Sequence, residues 1–239
     1  MIKIATIHTD FPEKFGIPRQ SGLVEELSGV ITFEKAFADP AAVRGLEGFS
    51  HIWLLWKFDV PAEKWHPTVR PPRLGGNTHM GVFATRSPFR PNPIGLSCVR
   101  LERVEISEDG PVLYVRGADL RDGTAILDIK PYLPYADARP DATSGWAKEA
   151  GSGPKEAGQE RLKVHILPET EKALSDRLSE DQHAALMKVL AQDPRPAYQE
   201  DPDREYGLLF AGVNVVFTVA GGRLSVIRIS DDIIGAPNG

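Results

Sequence analysis

Short runs in which apolar and polar side chains alternate dominate the first 135 residues, and this period of two constrains the fold more than any other feature. Ile2-Lys3-Ile4-Ala5-Thr6-Ile7 alternates, as does Val112-Leu113-Tyr114-Val115-Arg116 and, less strictly, Ala125-Ile126-Leu127-Asp128-Ile129. Alternation sends successive side chains to opposite faces, so each run is read as a strand with one buried face. Val30-Ile31-Thr32-Phe33 and Gly81-Val82-Phe83-Ala84-Thr85 are short β-branched and aromatic runs of the same class. Phe49 to Phe58 is apolar on both faces and is expected to be a central buried strand. Turn residues separate the runs at Gly75-Gly76-Asn77, Asp109-Gly110-Pro111 and Asp122-Gly123. One helical turn is expected at Asp39 to Gly45, with Asp39 as N-cap, Pro40 at the first position and Gly45 as stop. Many short strands with few helices predict a mainly β fold, a closed or nearly closed β-barrel over residues 1–137.

Residues 138–160 change character. Gly, Ala, Pro, Ser and Glu dominate, and Ala150-Gly151-Ser152-Gly153-Pro154 has nothing to bury, so the segment reads as a linker. Residues 161–239 read as a small α+β unit. Arg161 to Leu167 alternates as a strand, and a helix is expected after Pro168. A second helix is expected from Ser179, with Gln182 three residues on as capping-box partner. Val213 to Val219 and Arg223 to Ile229 flank Gly221-Gly222, a hairpin signal.

The N-terminus has no long apolar core, and the most apolar run, Ile52 to Trp56, is too short to span a membrane. A single cysteine, Cys98, excludes an internal disulfide and a Cys-rich zinc site. A cytoplasmic protein with no membrane partner and no metal is expected. The formal net charge is −5, which alone argues against a nucleic-acid partner, but the charge is unevenly placed. Residues 1–135 carry 16 basic and 16 acidic side chains, and the remainder carries 12 and 17. From Lys64 to Leu101 there is no Asp or Glu, while Arg70, Arg73, Arg86, Arg90 and Arg100 fall in that window. A locally basic face of this kind can bind a polyanion.

Three segments can carry chemistry. Arg70 to Ser97 combines rigid prolines, permissive glycines and four arginines, a surface suited to anion recognition. The plainer reading, a turn-rich stretch of solvated arginines, is about as probable on composition alone. Asp128-Ile129-Lys130-Pro131 puts a carboxylate and an ammonium two residues apart at a strand end, on one face. A surface ion pair is the commoner meaning of such a pair. Pro18-Arg19-Gln20 offers an arginine and a bifunctional amide in a loop. There is no GxGxxG after a strand, no P-loop, no HExxH and no nucleophile elbow around Ser87 or Ser97. His8, His51 and His66 read as structural.

Several stretches together resemble the TrmO family, also called TsaA-like or YaeB-like, of tRNA adenosine N-methyltransferases. They are PRQ at Pro18 to Gln20, AVRGLEGFSHIWLLWKF at Ala42 to Phe58, TVRPPRLGG at Thr68 to Gly76, GVFATRSPFRPNPIGLS at Gly81 to Ser97 and DGTAILDIKPYLPYAD at Asp122 to Asp137. Leu190 to Tyr198 is similar to the bacterial branch, which carries an extra small domain. The resemblance implies a non-Rossmann β-barrel methyltransferase that binds S-adenosylmethionine, works as a homodimer and modifies certain threonine tRNAs. Its acceptor is the exocyclic nitrogen of threonylcarbamoyl-adenosine, just 3′ of the anticodon.

Carried over by position, the cofactor site comprises Pro18, Arg19, Gln20, Asp59, Val60, Arg86, Leu96, Asp128, Ile129, Lys130 and Pro131. Asp59 departs from the family, where a His is common at this place. Asp128 is the candidate catalytic base, or equally a holder of the cofactor. Arg70, Arg73, Arg90, Asn92 and Tyr132 are candidates for the tRNA side, with Phe89 and Tyr132 as stacking platforms. Two other readings stay open: a methyltransferase with another acceptor, and a non-catalytic RNA- or nucleotide-binding module.

Overall fold

A computed structural model describes residues 1–60, 65–71, 74, 77–149, 161–195 and 201–230. Six antiparallel strands close into a barrel in the order β1-β2-β7-β6-β3-β8, as the alternation predicts. They are β1 (Ala5–Thr9), β2 (Ser28–Phe33), β3 (His51–Lys57), β6 (Ile94–Ser107), β7 (Gly110–Arg116) and β8 (Thr124–Pro131). Two short strands, β4 (Thr68–Val69) and β5 (Met80–Gly81), pair with each other apart from the wall. Closure leaves no open sheet edge in the wall.

Period-two side chains fill the barrel. Ile7, Ile31, Ile52, Leu54, Leu113, Val115 and Ile126 are buried inside it. Each such side chain contributes about 1.5–3 kcal/mol by leaving water. The Phe49–Phe58 run forms β3, but only its inward face, Ile52 and Leu54, is fully buried; Trp53 and Leu55 look outward from the wall and are partly covered. The expected helical turn is a 3-10 helix over Pro40–Val43, with the Asp39 side chain accepting from the Ala41 N–H at 2.8 Å. Gly81 to Thr85, expected as a strand, runs extended only through Gly81 and then turns as a 3-10 helix over Val82–Ala84. The Arg90 side chain fixes that turn by donating to the Val82 and Thr85 carbonyls at 3.0 and 2.7 Å.

After β8 the chain makes two short helices, α1 (Pro134–Asp137) and α2 (Trp146–Glu149). Trp146 ties α2 to the barrel loops by donating to the Ala84 carbonyl at 2.8 Å. The rest of the 138–160 segment from residue 150 onward lies outside the described residues.

The C-terminal unit is a four-stranded sheet in the order β10-β11-β12-β9, with two helices. Its elements are β9 (Lys163–Ile166), α3 (Pro168–Ser175), α4 (Glu180–Ala191), β10 (Tyr206–Phe210), β11 (Val213–Ala220) and β12 (Arg223–Ser230). Ser179 and Gln182 form the expected capping box at the start of α4. β11 and β12 form the hairpin around Gly221-Gly222, and β9 joins β12 in parallel. A second hydrophobic core includes Leu174, Leu186, Leu190, Leu208, Phe210 and Phe217. Phe11, Val24 and Leu27, from the connection between β1 and β2, are buried in the same core. That connection carries Pro18-Arg19-Gln20, so it is held between the barrel and the C-terminal unit.

Candidate functional site

The expected site residues fall into two groups on opposite sides of β6. Along β6, Gly95, Ser97, Val99 and Leu101 are buried, while Ile94, Leu96 and Arg100 face out. On the outer side, Asp128 pairs with Leu55 and Leu55 with Leu96, so β8, β3 and β6 set these three in one row. The next row is Lys130, Trp53 and Cys98. Lys130 and Asp128 share a face as the i, i+2 spacing requires and form an ion pair at 2.8 Å. Both side chains are about half exposed, so the pair orients the carboxylate more than it stabilises the fold. The other carboxylate oxygen of Asp128 accepts from the Ile129 N–H at 2.9 Å. Asp137 anchors the loop that follows: its Oδ2 accepts from Trp53 Nε1 at 3.1 Å and from the Leu133 N–H at 2.8 Å. Tyr132 leans on Trp53, ring centres 5.7 Å apart.

A groove of about 490 Å³ runs beside Asp128, lined by Met1, Ile2, Phe37, Leu55, Ile94 and Leu127. Met1 and Ile2 are 76% and 69% exposed, and Leu96 is 47% exposed. Apolar side chains this open, contiguous and next to a fixed carboxylate mark a surface that is covered in use.

The second group gathers on the other side. Arg86 Nη1 donates to Gln20 Oε1, joining the Pro18-Arg19-Gln20 turn to the arginine-rich segment across 66 positions. Behind them, Trp56 Nε1 donates to Ser97 Oγ at 3.0 Å, and Ser97 donates to Asp119 Oδ1 at 2.6 Å. Burial pushes the Asp119 carboxyl above its ordinary value, offset by the Ser97 hydroxyl, the backbone N–H groups of Asp119 and Ser21, and the Arg86 charge. The Ser21 hydroxyl accepts from the Cys98 N–H at 3.1 Å, and Gly22 donates to the Gly117 carbonyl at 2.9 Å. Gly95 makes the arrangement possible: a Cβ there would lie 2.2 Å from Trp56 Cε2.

Asp119 is the residue that the sequence reading missed. Its signal was a lone carboxylate in the otherwise small and apolar Gly117-Ala118-Asp119-Leu120. A carboxyl with a raised pKa, beside an arginine and a candidate ligand loop, is a functional-site signature.

The remaining expected residues lie elsewhere. Asp59 pairs with Arg121 at 3.4 Å on the surface, with Val60 beside it. Arg70 donates to His79 Nε2 at 2.9 Å, and Arg90 braces its own loop, its guanidinium 5.6 Å from the Phe83 ring centre. Asn92 is exposed, and its carbonyl accepts from Ile94 at 2.7 Å. Arg73 lies outside the described residues. No hydrogen bond or ion pair joins the Gln20–Arg86 group to the Leu96–Asp128 group among the described residues. Nor, among them, do three His, Cys, Asp or Glu side chains gather for a metal ion. No helix among them is long and apolar enough to cross a membrane.

Residues 6–138 match the family model of the tRNA-methyltransferase O N-terminal domain, and residues 159–232 match that of the TrmO C-terminal domain. The chain belongs to the TrmO family. An Escherichia coli (strain K12) relative, named tRNA (adenine(37)-N6)-methyltransferase, is 42% identical over 232 residues, covering 95% of this chain and 96% of its own. A Pseudomonas aeruginosa relative, named a putative S-adenosylmethionine-dependent methyltransferase RcsF, is 42% identical over 232 residues, covering 95% of each chain. The crystal structure of TrmO from Pseudomonas aeruginosa superposes with a TM-score of 0.74 at 34% identity, covering 95% of this chain and 97% of that one. The mainly β reading and the barrel agree with this TrmO structure.

Proposed function

We propose that the protein transfers a methyl group from S-adenosylmethionine to the exocyclic nitrogen of threonylcarbamoyl-adenosine beside the anticodon of a threonine tRNA. The observation that carries this reading is the meeting of Gln20 with Arg86, which assembles two separate family motifs into one polar corner. Family membership and the names of full-length relatives supply the activity. The residues fit the cofactor: Arg86 suits its carboxylate, Asp128 a cationic group, and Leu96 with Leu55 an apolar surface.

S-adenosylmethionine brings a methyl group on a sulfonium, a good leaving group. The chain's own task is therefore placement of the acceptor nitrogen in line with that methyl. The acceptor is urea-like and poorly nucleophilic, so Asp128 serves by accepting its proton or by orienting it. Lys130 and the Ile129 N–H hold the Asp128 carboxylate for this role. The Pro18-Arg19-Gln20 turn, Asp59-Val60, Arg86, Leu96 and Asp128 to Pro131 make up the cofactor site. Arg19 joins it through its backbone, since its side chain turns toward the C-terminal unit. Arg70, Asn92 and Tyr132 serve the tRNA side, with Arg73 a candidate from the sequence, and Arg90 shapes their loop.

The working form is a homodimer. The two groups of cofactor residues lie on opposite sides of one β6 strand, and the open apolar groove beside Asp128 suits a second copy of the chain. In this reading the site is completed across the dimer, the Gln20–Arg86 corner of one chain serving with the Leu96–Asp128 row of the other. The barrel unit runs through residue 137, the linker from 138 to 160 and the C-terminal unit from 161, in a cytoplasmic enzyme.

The test of the acceptor is methyl transfer to tRNA from cells with and without the threonylcarbamoyl mark. Transfer to marked threonine tRNA alone is expected. Equal transfer to unmarked tRNA means another acceptor, and transfer to neither means a binding module.

A further inference from the structure

The Pro18-Arg19-Gln20 turn has a second face. Phe15 and Ile17 pack on the second hydrophobic core. Gly16, at φ +86°, passes so close to Leu208 that a Cβ would lie 2.2 Å from its Cδ1. The seam between this turn and the C-terminal unit leaves a small cavity of about 60 Å³, lined by Arg19, Arg161, Gln192, Asp193, Ile17 and Pro194.

The charges around that cavity do not balance. Asp193 is its one acidic residue, and Arg195 holds the Asp193 carboxylate at two points, Nε at 2.8 Å and Nη2 at 2.9 Å. Arg19 and Arg161 make no side-chain hydrogen bond or ion pair among the described residues. Although Arg19 as a residue is open to solvent, its guanidinium is desolvated enough to lower its pKa from the ordinary value; the charge of Arg161 lowers it further, and the Asp193 carboxylate, which Arg195 also holds, offsets part of this. Two like charges at one cavity repel each other, and a bound anion relieves the repulsion.

We infer that this cavity takes one backbone phosphate of the RNA substrate, held between Arg19 of the turn and Arg161 of the C-terminal unit. The space equals that of about four to six waters, enough for a tetrahedral oxyanion and too little for a nucleobase. Arginine forks match phosphate oxygens in pairs. The inference rests on the tRNA reading above and gives the C-terminal unit an RNA contact despite its acidic balance of 12 basic to 17 acidic residues from 136 onward. It also links substrate to cofactor, because the phosphate fixes the side chain of the turn whose other face carries Gln20.

The experiment compares wild type, Arg161→Ala and Arg161→Lys as full chains. It measures tRNA affinity across a salt series, S-adenosylmethionine affinity by calorimetry, and binding of inorganic phosphate. Arg161 is exposed, and among the described residues only its backbone N–H is bonded, to the Ala191 carbonyl, so both variants are expected to fold. Arg161→Ala is expected to bind tRNA about five- to tenfold more weakly. Its log–log salt slope becomes shallower by about 0.7–0.9, one phosphate contact. Cofactor affinity stays unchanged, and Arg161→Lys restores the slope. Unchanged tRNA affinity and slope overturn the inference. So does loss of inorganic phosphate binding with tRNA binding intact, which makes this a free-anion site. Wild-type tRNA binding without methyl transfer sinks the enzyme reading and leaves the cavity test valid, whereas no wild-type tRNA binding overturns both.

Discussion

Ser97 donates its hydroxyl to the Asp119 carboxyl at 2.6 Å, and this bond ties strand β6 of the barrel wall to the connection between β7 and β8. On one side of it Trp56 donates to Ser97; on the other, Asp119 feels the Ser21 N–H and the Arg86 charge. The corner where Gln20 meets Arg86 is therefore backed by a chain of polar contacts reaching into the barrel wall. Partly desolvated networks of this kind fix geometry at a cost in stability.

That cost gives a pH signature. Burial raises the Asp119 pKa above its ordinary 3.8, so the folded state holds this proton more tightly than the unfolded state does. Its stabilising contribution is complete below the unfolded value and is lost as pH rises through the folded value. Asp119→Asn cannot titrate there. Thermal scans of both proteins from about pH 4.5 to about pH 8 should show wild type losing ground to the variant as pH rises. Methyl transfer by the variant should be lower throughout, through a loosened turn. A difference in Tm that is flat with pH contradicts the assignment.

Gly95→Ala tests the same network from the packing side. The new methyl meets Trp56 Cε2 at 2.2 Å, and the indole must leave Ser97. A loss of about 1–3 kcal/mol in denaturant unfolding is expected, the usual range for overpacking. A neutral substitution means that Trp56 has a second resting place.

Asp128→Asn separates chemistry from binding. If Asp128 takes or orients the acceptor proton, turnover falls by about 10²–10⁴ while S-adenosylmethionine affinity stays within a few-fold. A parallel fall in affinity assigns the carboxylate to the cofactor instead. Normal methylation removes Asp128 from both roles.

A site shared across the proposed dimer predicts complementation. Arg86→Ala and Asp128→Ala chains, each inactive alone, should recover activity when unfolded together and refolded. Random pairing leaves one intact site in half of the dimers, roughly a quarter of wild-type activity. No recovery, with dimers formed, places each site within one chain. Leu96→Glu should break the dimer in light scattering and abolish recovery.

The barrel was legible where inward and outward side chains differ in polarity, as in β7 and β8. β6 was not read as a strand, although it is fourteen residues long. Its outward Arg100 and Glu102 alternate correctly with Val99 and Leu101, but Ile94, Leu96 and Cys98 make the outward face apolar in its first half, while Gly95 and Ser97 leave the inward face small. That inversion falls where the proposed cofactor site lies. β10 escaped because Tyr206–Phe210 is a short run buried at four of its five positions and has no period. The capping box and the Gly221-Gly222 hairpin were legible because both are local. The Asp119 network was not, because Trp56, Ser97 and Asp119 come from three separate stretches and only closure of the barrel brings them together. The two-sidedness of the candidate cofactor residues was hidden for a related reason: Leu96 and Ser97 are neighbours in sequence and opposite in facing.

In the proposed function, this chain binds S-adenosylmethionine through the Gln20–Arg86 corner and delivers its methyl to tRNA. Calorimetric titration with S-adenosylmethionine, followed by methyl transfer to threonine tRNA bearing the threonylcarbamoyl mark, tests it most directly. One cofactor bound per chain, lost in Arg86→Ala, with label incorporated into the marked tRNA, is the expected result. A wild-type chain that binds no S-adenosylmethionine overturns the proposed function and makes the protein a binding module.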